Sequence, residues 1–371
     1  MKIALVGGGT GGHFYPLIAV AEAVRDIYPT AELYYFGPHE YNADELARLS
    51  INFVSCPAGK VRRYFSIQNF TDIFRTIGGI FAAWYKLFVI YPDVLFSKGG
   101  YTSVPVLLMA RFYRIPVVIH ESDSKPGRAS NLAKKFARYI GIAYASAADY
   151  FPADKTALVG IPIRKSVQTP HPNPHEFLGV PKDRPIIFVT GGSLGAMRIN
   201  NFILNSLTQL LPQFTVFHQT GPTEEKVVIQ TSQALVADKN LLERYFVKGT
   251  MDAETMSALF EAASLVITRA GSTTLFEIAL HGTPAIVIPI PEDISHDQRT
   301  NAYAYARSGA ATVMEEGNLT PYLLTSEIQS IMGDPVRYEA MSRAARTFAT
   351  PQAATQIAQV LIGIAQEHGS I

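Results

Sequence analysis

Apolar residues fall along this chain in short runs, each closed by glycine or a hydroxyl residue and followed by a longer stretch with apolar positions three and four apart. Runs at 3–6, 33–37, 51–54, 94–97, 117–121, 139–143 and 156–159 read as buried parallel strands. Helical spacing predicts helices over about 16–27, with Leu17, Val20, Ala21 and Val24 inward, and over about 67–88. A proline-rich segment at 169–185 interrupts the pattern, which restarts with a strand at 186–190. Strands near 216–221, 245–247, 266–268, 285–289 and 311–315 follow. Helices are expected from about 198 and at 275–280, 321–332, 335–347 and 353–366, with another that follows 296–302 and continues to about 308. An alternation that opens twice in the same way predicts an α/β chain of two Rossmann-like, doubly wound parallel-sheet domains with a cleft between them. The expected division is 1–163 and 164–346, with a last helix, about 347–371, packing back on the first domain.

Composition narrows the class without naming it. A 371-residue chain is long enough for two ordinary domains, and 48% hydrophobic content is that of a globular protein. A net charge of +1 argues against a dedicated nucleic-acid binder. Cys56 is the lone cysteine, so neither an internal disulfide nor a cysteine metal cluster is available. The amino terminus runs straight into a strand and does not read as a signal peptide. The apolar stretch 78–90 contains Lys86 and is shorter than the ~20 residues a bilayer requires, so a soluble protein is expected.

Chemistry is concentrated in the loops after the strands. Five glycines surround Thr10 between residues 7 and 12, followed by His13, where backbone must approach something closely or needs positive φ. A dinucleotide site is disfavoured, because the second strand ends in Gly37 and not in an acidic residue. Lys98-Gly99-Gly100-Tyr101 is a second glycine loop, and His120-Glu121 ends the strand at 117–121, on the side where open α/β sheets bind ligands. In the second half Arg269-Ala270-Gly271-Ser272-Thr273-Thr274 makes a turn into a helix, and such a helix start attracts phosphate. Glu277, one turn on, is placed to accept two hydrogen bonds from a vicinal diol such as a ribose. Phe70, Ile73, Phe74, Ile77, Phe81 and Trp84 recur at helical spacing near Arg62, Arg63, Arg75 and Lys86. That helix either faces the core or dips its aromatic rings into a headgroup layer of anionic lipid, and Gly78-Gly79 marks a possible break in it.

Six ordered motifs make a more specific pattern than any one loop: Gly8-Gly9-Thr10-Gly11-Gly12-His13, Lys98-Gly99-Gly100-Tyr101, His120-Glu121-Ser122-Asp123 with Pro126-Gly127, Gly191-Gly192-Ser193-Leu194-Gly195-Ala196, Arg269-Ala270-Gly271 with Glu277, and Gln298 with Asn301. From residue 2 to beyond 340 the chain resembles the MurG family, the transferases that add N-acetylglucosamine (GlcNAc) to the lipid-linked muramoyl-pentapeptide of bacterial cell-wall synthesis. The resemblance implies a GT-B fold and inverting transfer from UDP-GlcNAc to the C4 hydroxyl of undecaprenyl-pyrophosphoryl-MurNAc-pentapeptide, with no metal and no cofactor. It implies donor contacts at Thr10, Gly11, Gly12, Asp123, Arg164, Ser193, Gly271, Ser272, Thr273, Thr274 and Glu277, with Gln298 and Asn301 on the GlcNAc hydroxyls. The acceptor diphosphate would lie against Gly9, Gly12, His13, Gly99, Gly100 and Tyr101. It further implies a peripheral protein on the cytoplasmic face of the plasma membrane, docked by the aromatic helix, with cell-wall and division proteins as possible partners.

A sugar hydroxyl has a very high pKa, so its proton must leave as the new bond forms. His13 is the expected general base, with Glu121 as the alternative base or the group that fixes the imidazole. Ser122-Asp123 stands where enterobacterial members carry Gln-Asn, Ile161 stands where Asn is frequent, and the expected uracil-reading loop at 248–252 matches poorly. A diacylglycerol glycosyltransferase of the same fold and a UDP-GlcNAc 2-epimerase are the competing readings.

Overall fold

The structure is a computed structural model that describes residues 1–59, 67–192, 195–292 and 296–368, with the side chains of 67–70 and 296 outside the description. The chain divides into two compact units, 1–165 with 350–371, and 166–349. The expected boundary at 163/164 therefore lies two residues early, and Arg164 belongs to unit 1.

Unit 1 is a seven-stranded, wholly parallel sheet: β1 (Lys2–Val6), β2 (Glu32–Gly37), β3 (Ile51–Ser55), β4 (Val94–Ser97), β5 (Val117–Glu121), β6 (Tyr139–Ile142) and β7 (Thr156–Leu158). Its spatial order is β3-β2-β1-β4-β5-β6-β7, so the winding reverses between β1 and β4. Both faces are covered, which is why the strands read as apolar runs and not as alternation. Helices α1 (Gly11–Ile27) and α16 (Ala353–His368) close one face through Leu17, Val20 and Leu361; α2 (Ala43–Arg48) lies beyond β2. Helices α3 (Ile67–Ile90), α4 (Val104–Phe112) and α5 (Arg128–Ala133) close the other through Leu87, Leu107 and Ala129.

Two expectations about these helices are corrected. Helix α1 starts at Gly11, not near residue 16: the amides of His13 and Phe14 both donate to Thr10 O at 3.2 Å, and Pro16 sits inside the helix. His13 is therefore a first-turn helical residue. Helix α3 runs unbroken through Gly78 and Gly79. Gly79 faces inward where a Cβ would strike the Pro57 carbonyl, so its lack of a side chain serves close packing.

The core-facing reading of the α3 aromatic residues is also overturned. Its buried line is Asp72, Gly79, Ala83 and Leu87, whereas Phe81 is 68% exposed and Ile73, Phe74, Ile77 and Trp84 are exposed with it. Arg62 and Arg63 and the side chain of Phe70 fall outside the described residues. Residues Thr71–Ile90 form one helix long and apolar enough to cross a membrane, against the shorter stretch expected. Its packing along α4 within unit 1 makes it a surface helix with one protein-facing side.

Unit 2 begins in α6 (Lys165–Gln168) and α7 (Pro174–Phe177) and builds a six-stranded parallel sheet. The strands are β8 (Ile186–Thr190), β9 (Thr215–Gln219), β10 (Tyr245–Lys248), β11 (Ala263–Thr268), β12 (Ala285–Val287) and β13 (Ala311–Val313), in the order β10-β9-β8-β11-β12-β13. The helices are α8 (Met197–Leu210), α9 (Glu225–Leu235), α10 (Lys239–Leu242), α11 (Ala253–Ala262), α12 (Ser272–His281), α13 (His296–Ala306), α14 (Pro321–Met332) and α15 (Pro335–Phe348). Ile187, Val189 and Leu265 pack under α8 and α14, while Phe188 meets Phe260 of α11 edge-on at 5.6 Å. The winding reverses between β8 and β11.

Candidate active site

In unit 1 three loops leave the carboxyl ends of the adjacent strands β1, β4 and β5, at the reversal where doubly wound sheets bind ligands. The first carries Gly9, Thr10, Gly11, Gly12 and His13. Thr10 Oγ1 lies 2.9 Å from His13 Nδ1, so the hydroxyl holds the ring and does not cap α1. The Gly11 amide donates to the Tyr41 hydroxyl, and Tyr15 packs against the same turn. Burial, then the nearby Lys98 charge, push the half-buried His13 imidazole down to about 4, with Asp123 pulling it back up.

The second loop brings Gly99 and Gly100, both at φ +81°, a conformation that side-chain-bearing residues rarely adopt. His13 Nε2 lies 3.6 Å from where a Cβ on Gly100 would stand, and the Tyr101 ring packs against Gly9. Lys98 turns inward: it is 2% exposed, and its ammonium reaches the Ser122 hydroxyl. Burial lowers this ammonium to about 8, and Glu121 and Asp123 act to raise it. The motif reading treated Lys98 only as part of a glycine loop. Its place directly after a strand was the available signal.

The third loop is organised by Glu121. Its carboxylate accepts from the amides of Asp123 (3.1 Å) and Gly127 (2.9 Å) and from the Ser130 side chain. Burial first and Asp123 second raise its pKa, and these hydrogen bonds oppose the rise. Among the described residues His13 is held by Thr10 and Glu121 by its own loop, so Glu121 does not fix the imidazole. His120 is fully buried and donates from Nε2 to the Gly160 carbonyl at 2.6 Å, which ties β5 to the loop after β7.

Arg164, expected to contact the donor, lies at the end of unit 1. Its guanidinium stacks 4.0 Å over the Tyr15 ring and pairs with Glu45 at 3.5 Å, all within unit 1. Glu22 accepts from the Lys165 amide at 3.0 Å and from Arg48 at 2.6 Å, completing a charged seam along α1 and α2.

In unit 2 the loops after β8 and β11 stand side by side at the second reversal. Gly192 (φ +85°) donates to Thr190 Oγ1, which donates to Gln219 Oε1 at 2.7 Å; Ser193 lies outside the described residues. Below, the fully buried His218 joins Tyr245 OH at 2.6 Å and Asn200 at 3.0 Å, and Asn200 donates to the Thr220 carbonyl against which Gly195 packs. Burial pushes the His218 imidazole down to about 3.

Gly271 caps α12, with Ser272, Thr273 and Thr274 in its first turn and half-buried Glu277 one turn on. Arg269 braces this turn by donating to the carbonyls of Ile288 and Pro289 and pairing with buried Glu316 at 2.6 Å. Asn301, 1% exposed, reaches from α13 to the Ala270 carbonyl at 3.5 Å. Gln298 Oε1 is buried with no hydrogen-bond partner among the described residues, an acceptor suited to a sugar hydroxyl. In the loop at 248–252, Asp252 caps α11 by accepting from the Thr255 amide at 2.7 Å. Among the described residues no group of three or more His, Cys, Asp or Glu side chains is arranged to hold a metal ion.

Residues 3–142 match the glycosyltransferase family 28 N-terminal domain and residues 186–357 its C-terminal domain. A UDP-N-acetylglucosamine--N-acetylmuramyl-(pentapeptide) pyrophosphoryl-undecaprenol N-acetylglucosamine transferase of Treponema denticola is 33% identical over 342 residues, covering 86% of this chain and 85% of its own. The crystal structure of Acinetobacter baumannii MurG superposes with a TM-score of 0.73 at 25% identity, covering 98% of this chain and 99% of its own. A UDP-GlcNAc 2-epimerase from Neisseria meningitidis reaches a TM-score of 0.71 at 14% identity, covering 98% and 100%, a likeness of fold alone. Two doubly wound parallel-sheet units in one chain, matched over nearly their whole length by that MurG, constitute the GT-B fold.

Proposed function

The chain belongs to glycosyltransferase family 28, and on that premise we propose that it transfers GlcNAc from UDP-GlcNAc to the C4 hydroxyl of undecaprenyl-pyrophosphoryl-MurNAc-pentapeptide, with inversion and without a metal. The observation that carries the reading in unit 1 is the gathering of His13, Gly99-Gly100 and the Glu121 loop at three neighbouring strand ends. His13 takes the C4 hydroxyl proton as that oxygen attacks the sugar's anomeric carbon. The bond from that carbon to the UDP oxygen breaks, and UDP departs with the electron pair. A base needs a free lone pair, so Nδ1–H donates to Thr10 and Nε2, beside Gly100, accepts the proton. The low pKa of His13 supports this role, because the ring is already neutral at cellular pH.

Unit 2 binds the donor. Charge growing on the leaving diphosphate is stabilised by the amino end of α12, which substitutes for a cation. Glu277 accepts from the ribose hydroxyls, and Gln298 offers its unpartnered oxygen to the GlcNAc. Gly9, Gly12, Gly99, Gly100 and Tyr101 cradle the acceptor diphosphate.

The protein works at the cytoplasmic face of the plasma membrane, held there by α3. Eight large apolar side chains between Ile73 and Val89 are exposed on this helix, a patch that an aqueous surface does not stabilise. An epimerase, whose substrate is soluble, has no use for it.

The deciding experiment supplies radiolabelled UDP-GlcNAc with lipid-linked muramoyl-pentapeptide, with diacylglycerol, or with no acceptor. Label is expected in the muramoyl lipid, and His13→Ala is expected to abolish it while leaving thermal unfolding unchanged. Label found in diacylglycerol, or in an epimerised sugar nucleotide, overturns the proposal.

A further inference from the structure

At the carboxyl edge of the unit 2 sheet two consecutive acids, Glu315 and Glu316, stand where β13 gives way to the single turn Glu316–Asn318. Glu316 is buried, and each of its oxygens meets a different guanidinium: Oε1 lies 2.8 Å from Arg198 and Oε2 lies 2.6 Å from Arg269. Arg198 belongs to the first turn of α8, directly after the glycine loop that follows β8. Arg269 opens the turn into α12 and donates to the Ile288 and Pro289 carbonyls that follow β12. Glu315 serves α13 instead, accepting from Arg299 Nε at 2.8 Å and from the Tyr303 hydroxyl at 2.9 Å, and Glu292 pairs with the same Arg299 at 3.1 Å. Two adjacent carboxylates thus join the start of α8, the turn into α12, the chain after β12, and α13, which carries Gln298 and Asn301.

The charges of this cluster balance. Arg198, Arg269 and Arg299 face Glu292, Glu315 and Glu316, three against three, so the cluster holds no surplus charge with which to draw a diphosphate. Its work is positional. A buried carboxylate is costly to desolvate, and apolar packing of the same volume would hold a fold at least as well. What the ion cluster adds is geometry: Arg269 sets one terminal nitrogen on Glu316 and the other on the Ile288 and Pro289 carbonyls, and its planar fork leaves the turn before α12 a single placement.

We propose that Glu315 and Glu316 are positioning residues for the donor: Glu316 fixes the turn into α12 for the diphosphate, and Glu315 fixes α13 for the GlcNAc. Neither touches the substrate. The inference rests on the reading that unit 2 binds UDP-GlcNAc, and it divides that site into two halves that can be loosened separately. Such placement is felt in affinity, since a variant in which about one molecule in ten holds the turn in place binds about tenfold more weakly.

The test is equilibrium titration of the full chain with UDP and with UDP-GlcNAc, beside thermal melts and initial rates of transfer. Glu316→Gln is expected to weaken both ligands about tenfold. Glu315→Gln is expected to weaken UDP-GlcNAc by about three- to tenfold and to leave UDP unchanged, because UDP lacks the sugar that α13 holds. In both variants KM for the donor should rise by the same factor, with kcat at saturating donor within about twofold of wild type and KM for the acceptor unchanged. A lowered melting temperature with both affinities unchanged means a merely structural cluster and overturns the proposal, as does equal loss of UDP and UDP-GlcNAc in Glu315→Gln. Should Glu316→Gln not fold, Arg198→Gln removes only an exposed partner and leaves Arg269 on Glu316; it is expected to weaken both ligands about threefold, and unchanged affinities there also overturn the proposal. R198Q/E316Q should bind no more weakly than Glu316→Gln alone; an additive loss means that Arg198 itself meets the diphosphate, against the proposal. The donor reading fails separately, as a wild-type chain that binds neither ligand.

Discussion

Replacing Lys98 by methionine tests the electrostatic logic of the acceptor half. The Lys98 ammonium is buried, lies within the field of Glu121 and Asp123, and helps to keep His13 neutral. The fall of the His13 pKa from 6.5 to about 4 favours the neutral ring about 300-fold over free imidazole. That ring is only half-buried, so water tempers the fall, and the acid limb of kcat/KM in the wild type should lie between 4 and 6.5. At an effective dielectric constant of 20, a unit charge at a separation on the order of 8 Å exerts about 2 kcal/mol on any titrating group, which is about 1.5 pH units. Lys98→Met should therefore raise the acid limb by one to 1.5 pH units. The assay is label transfer to a lipid-linked muramoyl acceptor in detergent from pH 4.5 to 9.5, with thermal melts in the same buffers to separate unfolding from titration. An acid limb unmoved in a folded variant would refute a role for Lys98 in setting the protonation of the site.

Three further outcomes follow from named contacts. Gly100→Ala forces a side chain into φ +81°, ψ 164° beside His13, a region kept for glycine, at a cost of about 1–3 kcal/mol, and should lower kcat far more than it lowers the urea midpoint. Glu277→Ala should raise KM for UDP-GlcNAc by roughly 10- to 100-fold, the loss of about 1.5–3 kcal/mol of charged hydrogen bonding, with the fold intact; unchanged donor binding removes Glu277 from the ribose site. His218 is neutral in the folded state down to about pH 3 but protonates near 6.5 when unfolded, so the unfolded chain binds the extra proton and stability is lost as pH falls through 6.5. The loss is about 1 kcal/mol between pH 7 and 5.5, and His218→Gln should be less stable at pH 7 yet lack that part of the acid slope in denaturant melts.

The strands were legible because both faces of each sheet are covered, leaving continuous apolar runs such as 186–190 that need no tertiary information to recognise. Helix α1 was misread at its start because Pro16 resembles a first-turn proline, although the Thr10 carbonyl had already nucleated the helix five residues earlier. Gly78 and Gly79 looked like a break because helix propensity is local, whereas the Pro57 contact that makes use of Gly79 is a tertiary one. The short α2 and α10 and the longer α9 and α11 carried no motif and were not anticipated. In the candidate site the glycine loops and His13 were visible as motifs. The tyrosines around Gly9 and Gly11, the inward turn of Lys98 and the Tyr15 stack of Arg164 come from residues distant in sequence, and no periodicity encodes such contacts.

The charge pattern of unit 1 acquires its sense when the acceptor is included. A free imidazole with a pKa of about 4 is reliably neutral but a weak base. The acceptor delivers a diphosphate to the glycine loops beside it, and negative charge near an imidazole favours the protonated form. Binding should therefore raise His13 toward neutrality just as a proton must be accepted, and should hold Lys98 charged to higher pH. The substrate tunes its own base, and the buried ammonium keeps His13 deprotonated until the acceptor arrives. The consequence is a difference between two profiles of one enzyme: the acid limb of kcat, which reports the bound complex, should lie above that of kcat/KM, which reports the free protein. Coincident limbs would mean that the diphosphate is held too far from His13 to influence it, and the glycine loops would then need another ligand.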